Sequence, residues 1–226
     1  MRPVFLLALS GALVAAPISA QGDHSAADDR GMASAHGMPE GWLMRFDRSN
    51  ATPDMATFNT MAPGWHVTTG GRGAAIFWQP AQAATGEYRL ESTIHLMKPA
   101  QHAEAFGIFV GGSDLEAEGQ QYVYFLVRQN GQFLIKRRNG AGTENVVGWT
   151  AHPSVPSAAA EGSTRYDLAI EVGERTVAFQ VNGATVHSMP RAGLATDGLY
   201  GLRINHMLDT PVESLDLTGK MSAGQM

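Results

Sequence analysis

Between residues 42 and 220 the apolar positions recur in short runs with a period of two, each bounded by Gly, Asn or Pro. No long apolar stripe recurs at helical spacing. Such runs predict an antiparallel sandwich or barrel. They place strands near 42–47, 65–69, 74–79, 86–97, 105–111, 121–129, 132–138, 144–149, 165–172, 175–181, 184–189, 198–205 and 213–219. No composition break divides this stretch, so one domain is expected over 42–220. The absence of a fixed-period repeat argues against a propeller.

The clearest segment runs from Tyr166 to Pro190 and reads as three strands and two tight turns. Asn182-Gly183 is a strong hairpin signal because both residues tolerate positive φ. A two-residue turn there sets Val181 opposite Ala184 and Phe179 opposite Val186. A second tight turn at Gly173-Glu174 pairs Val172 with Arg175, Ile170 with Val177, Leu168 with Phe179 and Tyr166 with Val181. One face then collects Tyr166, Leu168, Ile170, Val177, Phe179, Val181 and Val186, and the other collects Asp167, Glu171, Thr176, Gln180, Thr185 and His187. A one-residue slip would mix these faces. Each large apolar side chain buried on the dry face contributes about 1.5–3 kcal/mol.

A further hairpin at Asn130-Gly131 pairs Gln129 with Gln132, Val127 with Leu134 and Leu126 with Ile135. That register puts Val123, Phe125, Val127 and Leu134 on one side. It puts Tyr122, Tyr124, Leu126, Arg128, Phe133, Ile135 and Arg137 on the other. Aromatic rings beside arginines suit sugar recognition, because rings stack on apolar sugar faces and planar donors grip hydroxyls. The ordinary alternative is a sheet face covered by loops.

Outside this stretch, residues 1–20 have the parts of a secretory signal: Arg2, an apolar run from Val4 to Ala16, and small residues before Gln21. Residues 21–41 are small, polar and Gly-rich and read as a flexible leader. Its His24, His36, Met32 and Met38 are soft-metal ligand types, but without a repeating spacing they read as a solvated tether. Residues 221–226 read as a frayed tail. The chain has no Cys, so no disulfide supports it. Its formal charge is −5, from 16 basic and 21 acidic residues, with no basic stripe. That excludes nucleic acid and anionic membrane as expected partners.

Familiar catalytic signatures are missing: no G-x-S-x-G elbow, no Cys nucleophile and no H-E-x-x-H zinc spacing among the scattered histidines. "GGRGAA" at 70–75 lacks the G-K-[ST] end of a phosphate loop and reads as a turn. His95 shares a strand face with Arg89, Glu91 and Thr93, which is either solvent or a groove. Trp78 in "IFWQP" is a candidate stacking platform. Trp42 is expected to pin the start of the domain.

The order "GIFVGG", "QQYVYFLVRQNGQFLIKRRNG", "VVGWTAH", "YDLAIEV…VAFQVNGATVHSM" and "GLYGLRIN" resembles the concanavalin A-like lectin/glucanase superfamily over about residues 60–220. Within it the chain is similar to laminin-G-like modules and to the family-16-like domain described as a 3-keto-disaccharide hydrolase domain. The resemblance implies an all-β jelly-roll sandwich of two curved antiparallel sheets, with a ligand site on one concave face. The Glu-x-Asp-x-x-Glu strand of the glucanases is absent, and glycosidic hydrolysis usually needs such a carboxylate pair. Laminin-G-like modules often bind calcium, and Asp114, Glu116 and Glu118 are loop carboxylates of the right type. No full ligand set accompanies them, so a solvated loop and no cofactor are expected.

The resulting expectation is an exported, periplasmic or extracellular carbohydrate-binding module without turnover, and without membrane contact once the signal is cleaved. Its ligand-binding residues would be Trp78, His95, Tyr122, Tyr124, Arg128 and Arg137. The alternatives are a hydrolase or lyase acting on 3-keto-glycosides or related disaccharides, and a protein-interaction module.

Overall fold

The computed structural model describes residues 32–33 and 37–219. Two antiparallel sheets pack face to face as a jelly-roll sandwich. The first has eight strands in the order β1 (Met32–Ala33), β2 (Leu43–Phe46), β5 (Ala75–Ala84), β14 (Gly198–Ile204), β7 (Ala105–Ser113), β8 (Gln121–Arg128), β9 (Gln132–Asn139) and β10 (Gly142–Ala151). The second has seven, in the order β13 (Ala184–Pro190), β12 (Thr176–Val181), β11 (Thr164–Val172), β6 (Tyr88–Leu96), β15 (Asp209–Gly219), β4 (Gly64–Thr69) and β3 (Ala56–Met61). The one helical element among the described residues is a 3-10 turn at Pro53–Met55.

The core lies between the sheets. Phe77, Ile108, Phe125 and Ile135 of the first sheet meet Leu90, Ile94, Ile170, Phe179 and Val212 of the second. Aromatic pairs cross the interface: Phe125 with Phe179 at 5.3 Å, Phe106 with Tyr166 at 5.1 Å, and Phe58 with Phe77 at 5.2 Å between ring centroids. Trp42 packs edge-on against Phe58 and Trp65 and closes one end of this core.

The dry and wet faces read for Tyr166–Val181 hold, but the registers differ, and His187, expected on the wet face, comes to lie opposite Phe179 of the dry one. Val181 pairs with Ala184 as expected, with Asn182 and Gly183 at φ 50° and 79°. A bulge between Phe179 and Gln180 then sets Phe179 opposite His187 instead of Val186. The other turn takes in four residues, Gly173 to Thr176, so Val172 pairs with Val177, Ile170 with Phe179 and Leu168 with Val181. That shift is two residues, which preserves the pleat and hence the faces.

The third hairpin differs by one residue. Its loop holds Gln129, Asn130 and Gly131, so Arg128 pairs with Gln132, Val127 with Phe133 and Leu126 with Leu134. Phe133 and Ile135 therefore join the inter-sheet core, and Leu134 turns to the opposite face.

Two strands lie outside the expected set. Ala56–Met61 is an edge strand with only Ala56 and Phe58 buried, too few apolar positions to mark it. Met32–Ala33 pairs with Met44 and Arg45, inside the stretch expected to be a leader. Met38 packs against the core and so belongs to no solvated tether. The expected signal segment, His24, His36 and the tail lie outside the described residues.

Candidate functional site

The outer face of the eight-stranded sheet, turned away from the core, carries its own apolar cluster. It includes Ile76, Trp78, Phe109, Tyr122, Tyr124, Leu126 and Leu134. One cross-strand row runs Arg45, Ile76, Arg203, Gly107, Leu126, Leu134. The next runs Leu43, Trp78, Gly201, Phe109, Tyr124, Lys136. Both faces of this sheet are thus apolar at the centre, which is why "YVYFLV" reads as a continuous hydrophobic run.

This face is hollow. Arg45 on β2 and Arg138 on β9 stand five strands apart, about 24 Å in a flat sheet. Both nevertheless line one cavity of about 460 Å³, together with Asp47, Ser49, Glu118 and Gln120. Only curvature brings the two arginines together. The 114–120 loop supplies Glu118 and Gln120 and buries Leu115 beside the aromatic cluster. Gln120 O accepts from the Gly140 N–H at 2.8 Å, which ties that loop to the end of β9.

Three arginines dominate the charge. Arg203 donates to both carboxylate oxygens of Asp47, at 2.8 and 2.5 Å. Its guanidinium lies 5.1 Å over the Tyr124 ring. Burial pushes the Asp47 carboxyl up. The charge and hydrogen bonds of Arg203, with Arg138 and Arg48 behind them, outweigh it and hold the group below the usual carboxylate range. Burial lowers the Arg203 guanidinium, and Asp47 more than reverses that. Arg45 donates to Leu115 O at 3.2 Å. Burial, followed by the like charge of Arg138, lowers its pKa. Burial raises the Tyr122 phenol, and it raises the Tyr124 phenol to about 12.

Buried polar atoms without partners are rare in folded proteins. Among the described residues they are Trp78 Nε1, Arg138 Nε, Arg203 Nε and Asn205 Oδ1. Three of these four are N–H donors on side chains of this one face. Of the three residues Arg138 alone lines the cavity, where with Arg45 and Gln120 it can meet a ligand rich in oxygen acceptors.

The six expected site residues separate. Tyr122 and Tyr124 lie in the hollow, but at 2 % and 4 % exposure they form its floor and present no ring face for stacking. Trp78 has no exposed surface at all, so it cannot serve as a stacking platform. Arg128 shares the face at its far end, where it donates to Gln132 and covers Trp149 at 4.1 Å. Arg137 points the other way by the pleat, paired with Glu144 and the Gly193 carbonyl. His95 is on the outer face of the other sheet, 2.8 Å from Glu213.

The residues that sequence reasoning missed are Arg45, Asp47, Gln120, Arg138 and Arg203. Their one visible signal was the polar Arg203 and Asn205 at alternate positions of "GLRIN".

Other concavities hold charges that already satisfy one another. On the seven-stranded sheet, Arg89 pairs with Glu91, Glu171 and Gln180, and Asp167 with Arg165 and Thr93. Beside β13, Arg191 spends its donors on Thr196, Gly173 O and Asp197. His66 pairs with Asp209 and His206 with Glu104. Among the described residues no group of three His, Asp or Glu could hold a metal ion.

No protein-family model matches the chain, and no curated protein matches it. Solved structures do. The carbohydrate-binding module CBM66 from Bacillus subtilis aligns at TM-score 0.56 and 12 % identity, over 82 % of this chain and 99 % of that one. A Bacteroides ovatus mixed-linkage-glucan GH16 protein in complex with a G4G4G3G product aligns at TM-score 0.57 and 8 % identity, over 83 % and 99 %. A Bacillus subtilis protein with a galectin-like fold aligns at 0.55 and 11 %, over 79 % and 89 %. At these identities the likeness is one of fold alone, a two-sheet jelly-roll sandwich.

Proposed function

We propose that this chain is an exported carbohydrate-binding module whose ligand occupies the hollow of the eight-stranded sheet and leaves it unchanged. The observation that carries the reading is a cavity of ligand size lined by Arg45, Gln120 and Arg138, in which the Arg138 guanidinium has no partner among the described residues. An unmet buried donor costs about 1–3 kcal/mol. Saccharide oxygens are acceptors of the right density to offset that cost. Two proteins of the same fold are named for sugars, one a binding module and one a glucan GH16. The signal-like residues 1–20 support export.

Asp47 and Glu118 line the cavity, but both oxygens of Asp47 are taken up by Arg203, which leaves it neither a free nucleophile nor a free base. Glycosidic cleavage needs a protonated carboxyl near neutrality. Asp47 is locked to Arg203 and held low, so it is ionised there and has no proton to give. This favours binding over hydrolysis.

Calorimetric titration against neutral and acidic oligosaccharides tests the reading. Saturable heat with at least one saccharide, lost on Arg138→Ala in a folded variant, is expected. Silence across the whole panel, or turnover of any saccharide, overturns it.

A further inference from the structure

The hollow lies in a protein of net charge −5, yet its own charge has the opposite sign. Arg203 is neutralised by Asp47. Counting Arg203, which stands behind the lining and pairs with Asp47, the site holds Arg45, Arg138 and Arg203 against Asp47 and Glu118, or 3 − 2 = +1. Neither Arg45 nor Arg138 makes an ion pair among the described residues. Among the described residues Arg45 donates one side-chain hydrogen bond, to the carbonyl of Leu115, and Arg138 has a buried Nε with none. Two guanidiniums facing one another repel. A hydroxyl group bridging them leaves that repulsion in place, whereas an anion removes it. The fork of an arginine matches a carboxylate with two parallel N–H donors.

Resting on the carbohydrate-binding reading, we propose that the hollow selects saccharides bearing a carboxylate, held between Arg45 and Arg138. The carboxylate enters against the guanidinium of Arg138, which lines the cavity and has no ion-pair partner among the described residues. Gln120, 5 % exposed at the same cavity, is placed to contact the sugar beside it. Glu118 stands on the loop as the one unpaired carboxylate of the lining, and it disfavours an anion placed anywhere but between the arginines. A glycan of neutral sugars gains none of the charge relief.

The test compares an oligogalacturonate with its own methyl ester, two ligands of one size differing in charge. Titration of the full chain is expected to give at least tenfold tighter binding of the free acid, falling as salt is raised. Arg138→Gln, checked for intact near-UV circular dichroism, is expected to bring the acid-to-ester ratio close to one. Arg138→Lys keeps the charge without the fork and is expected to restore part of the ratio. Equal binding of acid and ester by the unaltered protein overturns the inference and leaves the carbohydrate reading standing. Preference for a sulfated over a carboxylated oligosaccharide overturns the carboxylate assignment. Binding of no saccharide overturns both.

Discussion

Arg203 and Asp47, 156 residues apart in the chain, meet as a two-pronged ion pair on the outer face of the eight-stranded sheet. Their side chains are 7 % and 25 % exposed, so most of the charge has left water. Removing one partner strands the other. Asp47→Ala is expected to destabilise the protein by about 3–5 kcal/mol, read by urea denaturation, while Arg203→Met with Asp47→Leu is expected to recover much of the loss. A single-variant loss under 1 kcal/mol would mean the pair is hydrated.

The same pair sets a pH dependence. A carboxyl held below its unfolded value contributes stability that is complete above about pH 4 and drains as pH falls through the folded value. Thermal melts between pH 2 and 6 are expected to fall more steeply for the unaltered protein than for Asp47→Asn. Parallel curves would remove Asp47 as the source.

At the alkaline end the tyrosines act together. Burial raises all five phenols, Tyr124 and Tyr166 to about 12. Groups raised in the fold stabilise it fully below the unfolded value of about 10 and lose that contribution as pH rises through the folded one. Spectrophotometric titration is expected to show phenolate appearing only with loss of the sheet signal. Ionisation near pH 10 in folded protein would contradict the burial.

Gly201 marks how tightly the hollow is built. A Cβ there would sit 2.1 Å from Phe77 O and 2.7 Å from the Phe109 ring. Backbone cannot yield as a side chain can, so Gly201→Ala is expected to lose at least about 1–3 kcal/mol, seen as a lowered melting temperature. An unchanged midpoint would show the strand can shift freely.

The two outer faces are expected to differ in use. His95 pairs with Glu213 on the seven-stranded sheet, away from the cavity. His95→Ala is therefore expected to leave saccharide titrations unchanged, whereas Arg45→Gln weakens them. Loss of binding in His95→Ala would move the site to the other sheet.

The sandwich was legible because period two survives errors of register. Reading Gly173-Glu174 as a two-residue turn displaced every pair by two, yet Ile170 and Phe179 stayed buried. The Asn130-Gly131 hairpin shows the opposite case. One extra loop residue moved Phe133 and Ile135 into the core and separated Arg137 from Tyr124. Turn chemistry says where a chain reverses and is silent on how many residues it spends. The hollow was harder still to read, because Arg45, Arg138 and Arg203 come from three distant stretches. They meet only through sheet order and curvature, which no local pattern encodes.

That sheet order has a consequence for how the molecule is made. β14 is the shared neighbour of β5 and β7, and β15 of β6 and β4. Both are the latest-synthesised of the described strands. Until Gly198–Gly219 leaves the ribosome, each layer exists only as two unconnected halves with unmet edges. Closure therefore waits on two consecutive strands, one inserted into the middle of each layer, and the halves of both layers are keyed together only when that pair arrives.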